Sequence, residues 1–184
     1  MISITVAGGS EVYEKFKRFH NENPRAISRA MNKASTVART ASLLHTRKVW
    51  NLKAKQLKDK AILKPASVNN TSIIFKMHST PVNLWSFGSK EITKGVSYKL
   101  QKTNRSAKLR GNYFIAGQGR EPYVFVRKSK DRMDIMPMFT ITPSSMFRTE
   151  KSDKVFIKTF FDGKGGTRGF RETYLAQLKN LLDK

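Results

Sequence analysis

No cysteine occurs among the 184 residues, so disulfides, thiolate metal sites and thiol redox chemistry are excluded. Carboxylates are scarce: 13 Asp and Glu stand against 36 Lys and Arg. A hydrolase that works through bound metal needs clustered carboxylates, and the chain has none to offer. Asp131 with Asp134, and Glu150 with Asp153, lie among Lys and Arg and read as charge balance rather than as acid–base pairs. The three histidines, His20, His45 and His78, are spread singly without metal-ligand spacing. No serine occupies a G-x-S-x-G elbow. The glycine-rich Asp162 to Gly169 lacks the spacing of a phosphate loop and reads as a hinge. Neither enzymatic activity, nor a metal, nor a cofactor is expected.

Long apolar runs are missing as well, so no membrane partner is expected. The first residues, MISITVAGG, have neither the basic leader nor the apolar core of a signal peptide, and a protein made and used inside a cell is expected. What is abundant is positive charge. The formal net charge is +23, a field that draws nucleic acid, an anionic surface or an acidic protein neighbour. Hydrophobic residues at 39% suffice for a folded core in one domain.

Along the chain, Ile2, Ile4 and Val6 alternate as a first short strand. Ser10 caps a helix to about Glu22 that carries Val12, Tyr13, Phe16 and Phe19 at helical spacing. Asn23 then reads as an N-cap and Pro24 as the first position of a second, long helix to Trp50. On that helix Ile27, Ala30, Met31, Ala34, Val37, Ala38, Ala41, Leu44 and Val49 share an apolar side. Arg25, Arg29, Lys33, Arg39 and Arg47 gather on the other side, as a candidate contact for DNA or an acidic partner.

A short helix over Leu52 to Lys60 follows, then a strand at Ile73 to Met77 and a compact aromatic turn, PVNLWSFG, at Pro81 to Gly88. From Lys94 the pattern is β. GVSYKL, NYFIAG and EPYVFVRK alternate, with QKTNRSAKLRG read as a loop, and a meander of antiparallel strands accounts for them. Pro137 makes its segment an edge strand. Thr142 with Pro143 caps a short helix, Val155 to Phe161 reads as a strand, and Phe170, Tyr174, Leu178 and Leu181 recur as an amphipathic helix. The expectation is an α+β fold: an antiparallel sheet or small sandwich against one long amphipathic helix, with N- and C-terminal helices. Residues 1–162 form the domain, and 163–184 form the glycine hinge and last helix. Exposed sheet edges of such a body are suited to adding strands between subunits.

The order of several short segments resembles the phage minor tail protein Z family of tail completion proteins. They are the Ala- and Arg-rich helix AISRAMNKASTVARTAS, the lysine-rich helix leading to LKPAS, Phe87-Gly88, and Lys94-Gly95-Val96-Ser97. Then come Phe114-Ile115-Ala116, Val124-Phe125-Val126-Arg127, and Pro143 with Ser145-Met146-Phe147. The resemblance covers roughly Ala26 to Phe147. It implies a non-enzymatic virion protein, made in the host bacterial cytoplasm and placed at the head-proximal end of the tail or the neck. Its implied partners are other tail or neck proteins, further copies in a ring, and DNA in the axial channel. The alternative reading is a basic DNA-binding module of a phage or mobile element that contacts phosphates through Arg25, Arg29 and Lys33.

Overall fold

The computed structural model describes residues 9–117, 122–131 and 133–182, and the side chains of residues 9–16, 18, 181 and 182 also fall outside the description. The alternating segment Ile2–Val6 lies outside these residues. The fold is α+β, with a long N-terminal helix packed against C-terminal helices and three small antiparallel sheets. By internal contact the chain gathers into two units. One comprises the chain up to Arg39, Leu63–Ile74 and the chain from Ile157; the other comprises Thr40–Ile62 and Phe75–Phe156.

Asn23 and Pro24 do not divide the helix. Helix α1 runs unbroken over Gly9–Val49, 41 residues with Pro24 inside it, so the expected break and second start are absent. A proline in a helix interior costs about 3 kcal/mol through a lost hydrogen bond and a clash. Burial on the C-terminal side outweighs that cost. Ala26, Ala30, Ala34 and Ala38 are each at most 1% exposed, and Ser28 and Ser35 are buried with them. At 100° per residue these six cover an arc of roughly 200°. Their small size lets neighbouring segments approach the helix axis.

Within this unit, Asn32 holds the backbone of Ala66 from both sides, donating Nδ2–H to its carbonyl at 2.9 Å and accepting its N–H at 2.8 Å. Asn23 does not cap α1: its Oδ1 accepts the Tyr174 hydroxyl at 2.8 Å. Tyr174 belongs to the terminal helix α5, Phe170–Leu182, which has the expected extent. Phe160, Phe170 and Tyr174 stack in series at 5.5 and 6.0 Å between centroids.

The second unit holds the larger core. Leu43, Trp50, Leu52, Leu57, Phe87, Met146 and Phe147 form one buried cluster, to which α2 (Ala54–Asp59) and α3 (Pro143–Thr149) contribute. Thr142 caps α3 as expected, accepting the Ser145 N–H at 3.2 Å. Leu44, expected on the apolar side, is 48% exposed, and Leu43 takes the core position instead. The segment expected as a strand from Val155 is helix α4, Ser152–Asp162. Its inward positions 152, 155, 156, 159 and 160 have helical spacing, which outweighs the β-branched and aromatic content.

Among the described residues, eight strands make three sheets. Strands β1 (Ala61–Lys64) and β2 (Ile74–Met77) pair, β3 (Lys90–Ile92), β4 (Gly95–Tyr98) and β5 (Ala107–Arg110) form one meander, and β6 (Tyr113–Ala116), β7 (Tyr123–Arg127) and β8 (Ile135–Pro137) form another. Strands β3 and β5 carry mostly charged residues, which is why β5 read as loop. Leu84, Val96 and Val124 fill the core between these meanders and the 3-10 turn Leu84–Phe87. That turn is tied down by Asn83, whose Oδ1 accepts both Trp85 N–H at 2.9 Å and Val124 N–H at 3.1 Å. Gly88 closes it in the left-handed region at φ 68°, a conformation that favours glycine.

Candidate interaction site

The five cations of α1 do not form one surface. Arg25 is exposed and pairs with Glu22 at 2.9 Å; Arg29 and Lys33 are exposed on the same unit. Arg39 is half-buried. Arg47 belongs to the second unit, where its Nε–H donates to the Leu52 carbonyl at 3.3 Å. The candidate helix face therefore reduces to Arg25, Arg29 and Lys33. Packing draws in the stems of the other two, and the head of Arg47 finds a carbonyl.

Most residues that carry the family resemblance are scaffold. Phe87, Val96 and Met146 are fully buried, and Phe147 and Pro143 are buried beside them. Gly95 has φ 127°, and a Cβ there would lie 1.9 Å from the Leu109 carbonyl oxygen, so the β4–β5 approach requires glycine. Lys94 is exposed in the turn before it. Phe114, Phe125 and Arg127 differ, because they are half-exposed on the outer face of the β6–β8 sheet. Phe114 and Phe125 face each other across the β6–β7 pair with ring centroids 5.9 Å apart, Tyr123 lies 6.1 Å from Phe125, and the Arg127 guanidinium sits 5.5 Å above the Phe114 ring. An aromatic row with a stacked arginine has the side-chain chemistry of a protein contact.

The outer edge of β8 is unsuited to strand addition, contrary to expectation. Met138 N–H donates to Val124 and Lys128 N–H to Asp134, so residues 134, 136 and 138 face β7 and residues 135 and 137 face outward. Ile135 N–H turns back to the Met133 carbonyl at 2.9 Å, and Pro137 has no N–H. An incoming strand would meet no donor at either position.

Three carboxylates serve neutral donors. Glu91 accepts the Ile115 N–H at 3.1 Å, Glu150 accepts the Trp50 indole N–H at 3.2 Å, and Asp131 accepts the Met133 N–H at 3.1 Å. His45 Nε2 lies 3.2 Å from the Glu150 carbonyl, a structural contact; His20 and His78 are exposed. Among the described residues no group of three or more His, Asp or Glu is placed to hold a metal ion, and no helix is long and apolar enough to cross a membrane. The glycine-rich stretch is a closed turn. Lys164 and Thr167 exchange backbone hydrogen bonds at 3.2 and 3.1 Å, and a Cβ on Gly163 would meet the Thr167 carbonyl at 2.0 Å.

A cavity of 480 Å³ opens beside α2, walled by Trp85, Tyr123 and Phe139. Gln56 and Asn83 also line it, and the Gln56 Oε1 and Asn83 Nδ2 atoms are buried without a hydrogen-bond partner among the described residues. No protein family, characterised protein or solved structure matches this chain.

Proposed function

We propose that this protein is a structural component of a bacteriophage virion, a minor tail or tail completion protein at the head-proximal end of the tail or the neck. It acts in tail assembly and head–tail joining, without catalysis. The observation that carries this reading is the ordered set of segments from AISRAM to Ser145-Met146-Phe147 that resembles the minor tail protein Z family. Support comes from where some of those residues fall: Phe87, Val96, Pro143, Met146 and Phe147 are buried and Gly95 permits the β4–β5 approach, the part of a family pattern that a shared fold would retain. The aromatic row Tyr123, Phe125, Phe114 with Arg127 supplies a contact for neighbouring tail or neck proteins.

Copies in a ring each bring a charge of +23, and that repulsion is relieved when acidic partners or axial DNA lie between them. Ring formation is therefore expected on a partner rather than by the isolated chain. Imaging intact particles with this subunit labelled tests the reading. Label at the neck or the head-proximal tail end is expected; particles without label would sink it.

A second reading is a DNA-binding module using Arg25, Arg29 and Lys33, favoured by the exposure of all three on one helix face. On that reading their joint replacement by glutamine would weaken duplex binding and its salt dependence. Unchanged binding would remove the helix from consideration.

A further inference from the structure

Strand pairing selects, from the basic stretch Lys90 to Arg110, the cations that share one face. In the β3–β4–β5 meander, Val96 is fully buried and Leu109 opposite it packs into the same core, so their side of the sheet faces inward. By alternation, Lys90 and Ile92 on β3, Gly95 and Ser97 on β4, and Lys108 and Arg110 on β5 face outward. The register sets Lys90, Ser97 and Lys108 in one row across the sheet, and Ile92, Gly95 and Arg110 in the next. Lys90, Lys108 and Arg110 are exposed.

At the usual strand spacing Lys90 and Lys108 are about 10 Å apart, and Lys108 and Arg110 are about 7 Å apart along β5. Lys108 and Arg110 thus lie within about one Debye length of each other at physiological salt, about 8 Å, and Lys90 stands about 10 Å and about 12 Å from them. None of the outward positions of β3, β4 and β5 carries a carboxylate. Glu91, the acid on β3, projects to the opposite side, where Ile115 N–H occupies it. Gly95 and Ser97 keep the middle strand low between the cations.

We propose that this sheet face is a binding site for the phosphodiester backbone of nucleic acid, with Lys90, Lys108 and Arg110 each neutralising a phosphate. Three like charges held close on a rigid sheet repel one another until an anion lies across them, and a polyphosphate chain answers several at once. The cations project from the face of a three-stranded sheet rather than from a helix or two-stranded ribbon that enters a groove, so they meet the backbone and contact is independent of base sequence. An acidic protein segment is the competing occupant. The absence of any hydrogen-bond acceptor side chain on the face other than Ser97, whose hydroxyl donates to the Lys90 carbonyl at 3.3 Å, favours an all-acceptor ligand such as a phosphate chain. The inference does not depend on the tail-protein reading.

The test is fluorescence anisotropy on the full chain with labelled duplex DNA and labelled single-stranded DNA, titrated between about 50 and 200 mM salt. The variant Lys90→Gln/Lys108→Gln/Arg110→Gln is compared with Arg25→Gln/Arg29→Gln/Lys33→Gln, which removes the same charge from the helix. For the sheet variant the slope of log affinity against log salt is expected to shrink by about 2.7 for duplex and about 2.1 for single strand, one phosphate per residue. The helix variant is expected to keep its slope within about one contact's share, roughly 0.9. Whichever DNA form binds more tightly identifies the source of the phosphates. Poly-L-glutamate, added as competitor at equal charge, is expected to displace DNA at least roughly tenfold less well, since the dense charge of DNA condenses counterions whose release on binding adds to its affinity. No binding at the lowest salt, an unchanged slope in the sheet variant, equal losses in both variants, or equal competition by poly-L-glutamate would each overturn the proposal.

Discussion

Replacing Thr46 with valine tests how the end of α1 is anchored. Thr46 and Ser152 are both fully buried, and their hydroxyl oxygens lie 2.8 Å apart. Thr46 also approaches the Ser42 carbonyl at 3.2 Å, a geometry in which its hydroxyl donates to that carbonyl and accepts from Ser152. Thr46→Val keeps the shape but strands the Ser152 O–H without an acceptor, which costs about 2 kcal/mol. In a chain of this size that lowers Tm by roughly 4–8 °C. Ser152→Ala leaves Thr46 donating to Ser42, so its cost is about 1 kcal/mol. In the double variant no donor is stranded, and the two effects should fall short of their sum by about 1 kcal/mol. Urea denaturation followed by tryptophan fluorescence reads this directly, since Trp50 is 6% exposed in the adjacent core. Additivity of the two single effects within about 0.3 kcal/mol would refute the shared hydrogen bond.

Pro24→Ala separates a continuous α1 from two helices meeting at Asn23. In a continuous helix alanine restores one backbone hydrogen bond and should stabilise by up to about 3 kcal/mol, less whatever the neighbours have adapted. A loss of helical circular dichroism or of stability would mean that proline begins a helix there. Asn83→Ala removes the acceptor for two backbone N–H groups, Trp85 and Val124, and should destabilise by about 2–4 kcal/mol in denaturant titration. A cost below roughly 0.5 kcal/mol would show that the turn holds without that side chain.

Several local features were legible in the sequence because short-range chemistry decides them. Thr142 followed by Pro143 caps a helix wherever it lies, Gly88 ends a turn that needs positive φ, and the alternating aromatics of NYFIAG and YVFVR become β6 and β7. Pro137 was readable as an edge because it cannot donate to a ladder. The errors arose where long-range packing overrode local signals. Pro24 and Asn23 spell a helix start, yet four alanines, each at most 1% exposed, and the Tyr174 hydroxyl hold the helix through them. Val155 to Phe161 has strand content, yet its inward residues follow the helical period.

By itself, then, the sequence determined composition and its consequences, a +23 field and no thiol chemistry, together with the Thr142 cap and the Gly88 turn. Only the tertiary structure decided which cations remain on the surface. Arg47 turned inward to a carbonyl, while Lys90, Lys108 and Arg110, eighteen to twenty residues apart across the meander, were brought onto one face. The physical reason is that charge is a property of residue counts, whereas a charged site requires strand register. Register is set by Val96 and Leu109 seeking the core, and it carries the lysines and arginine to the opposite side.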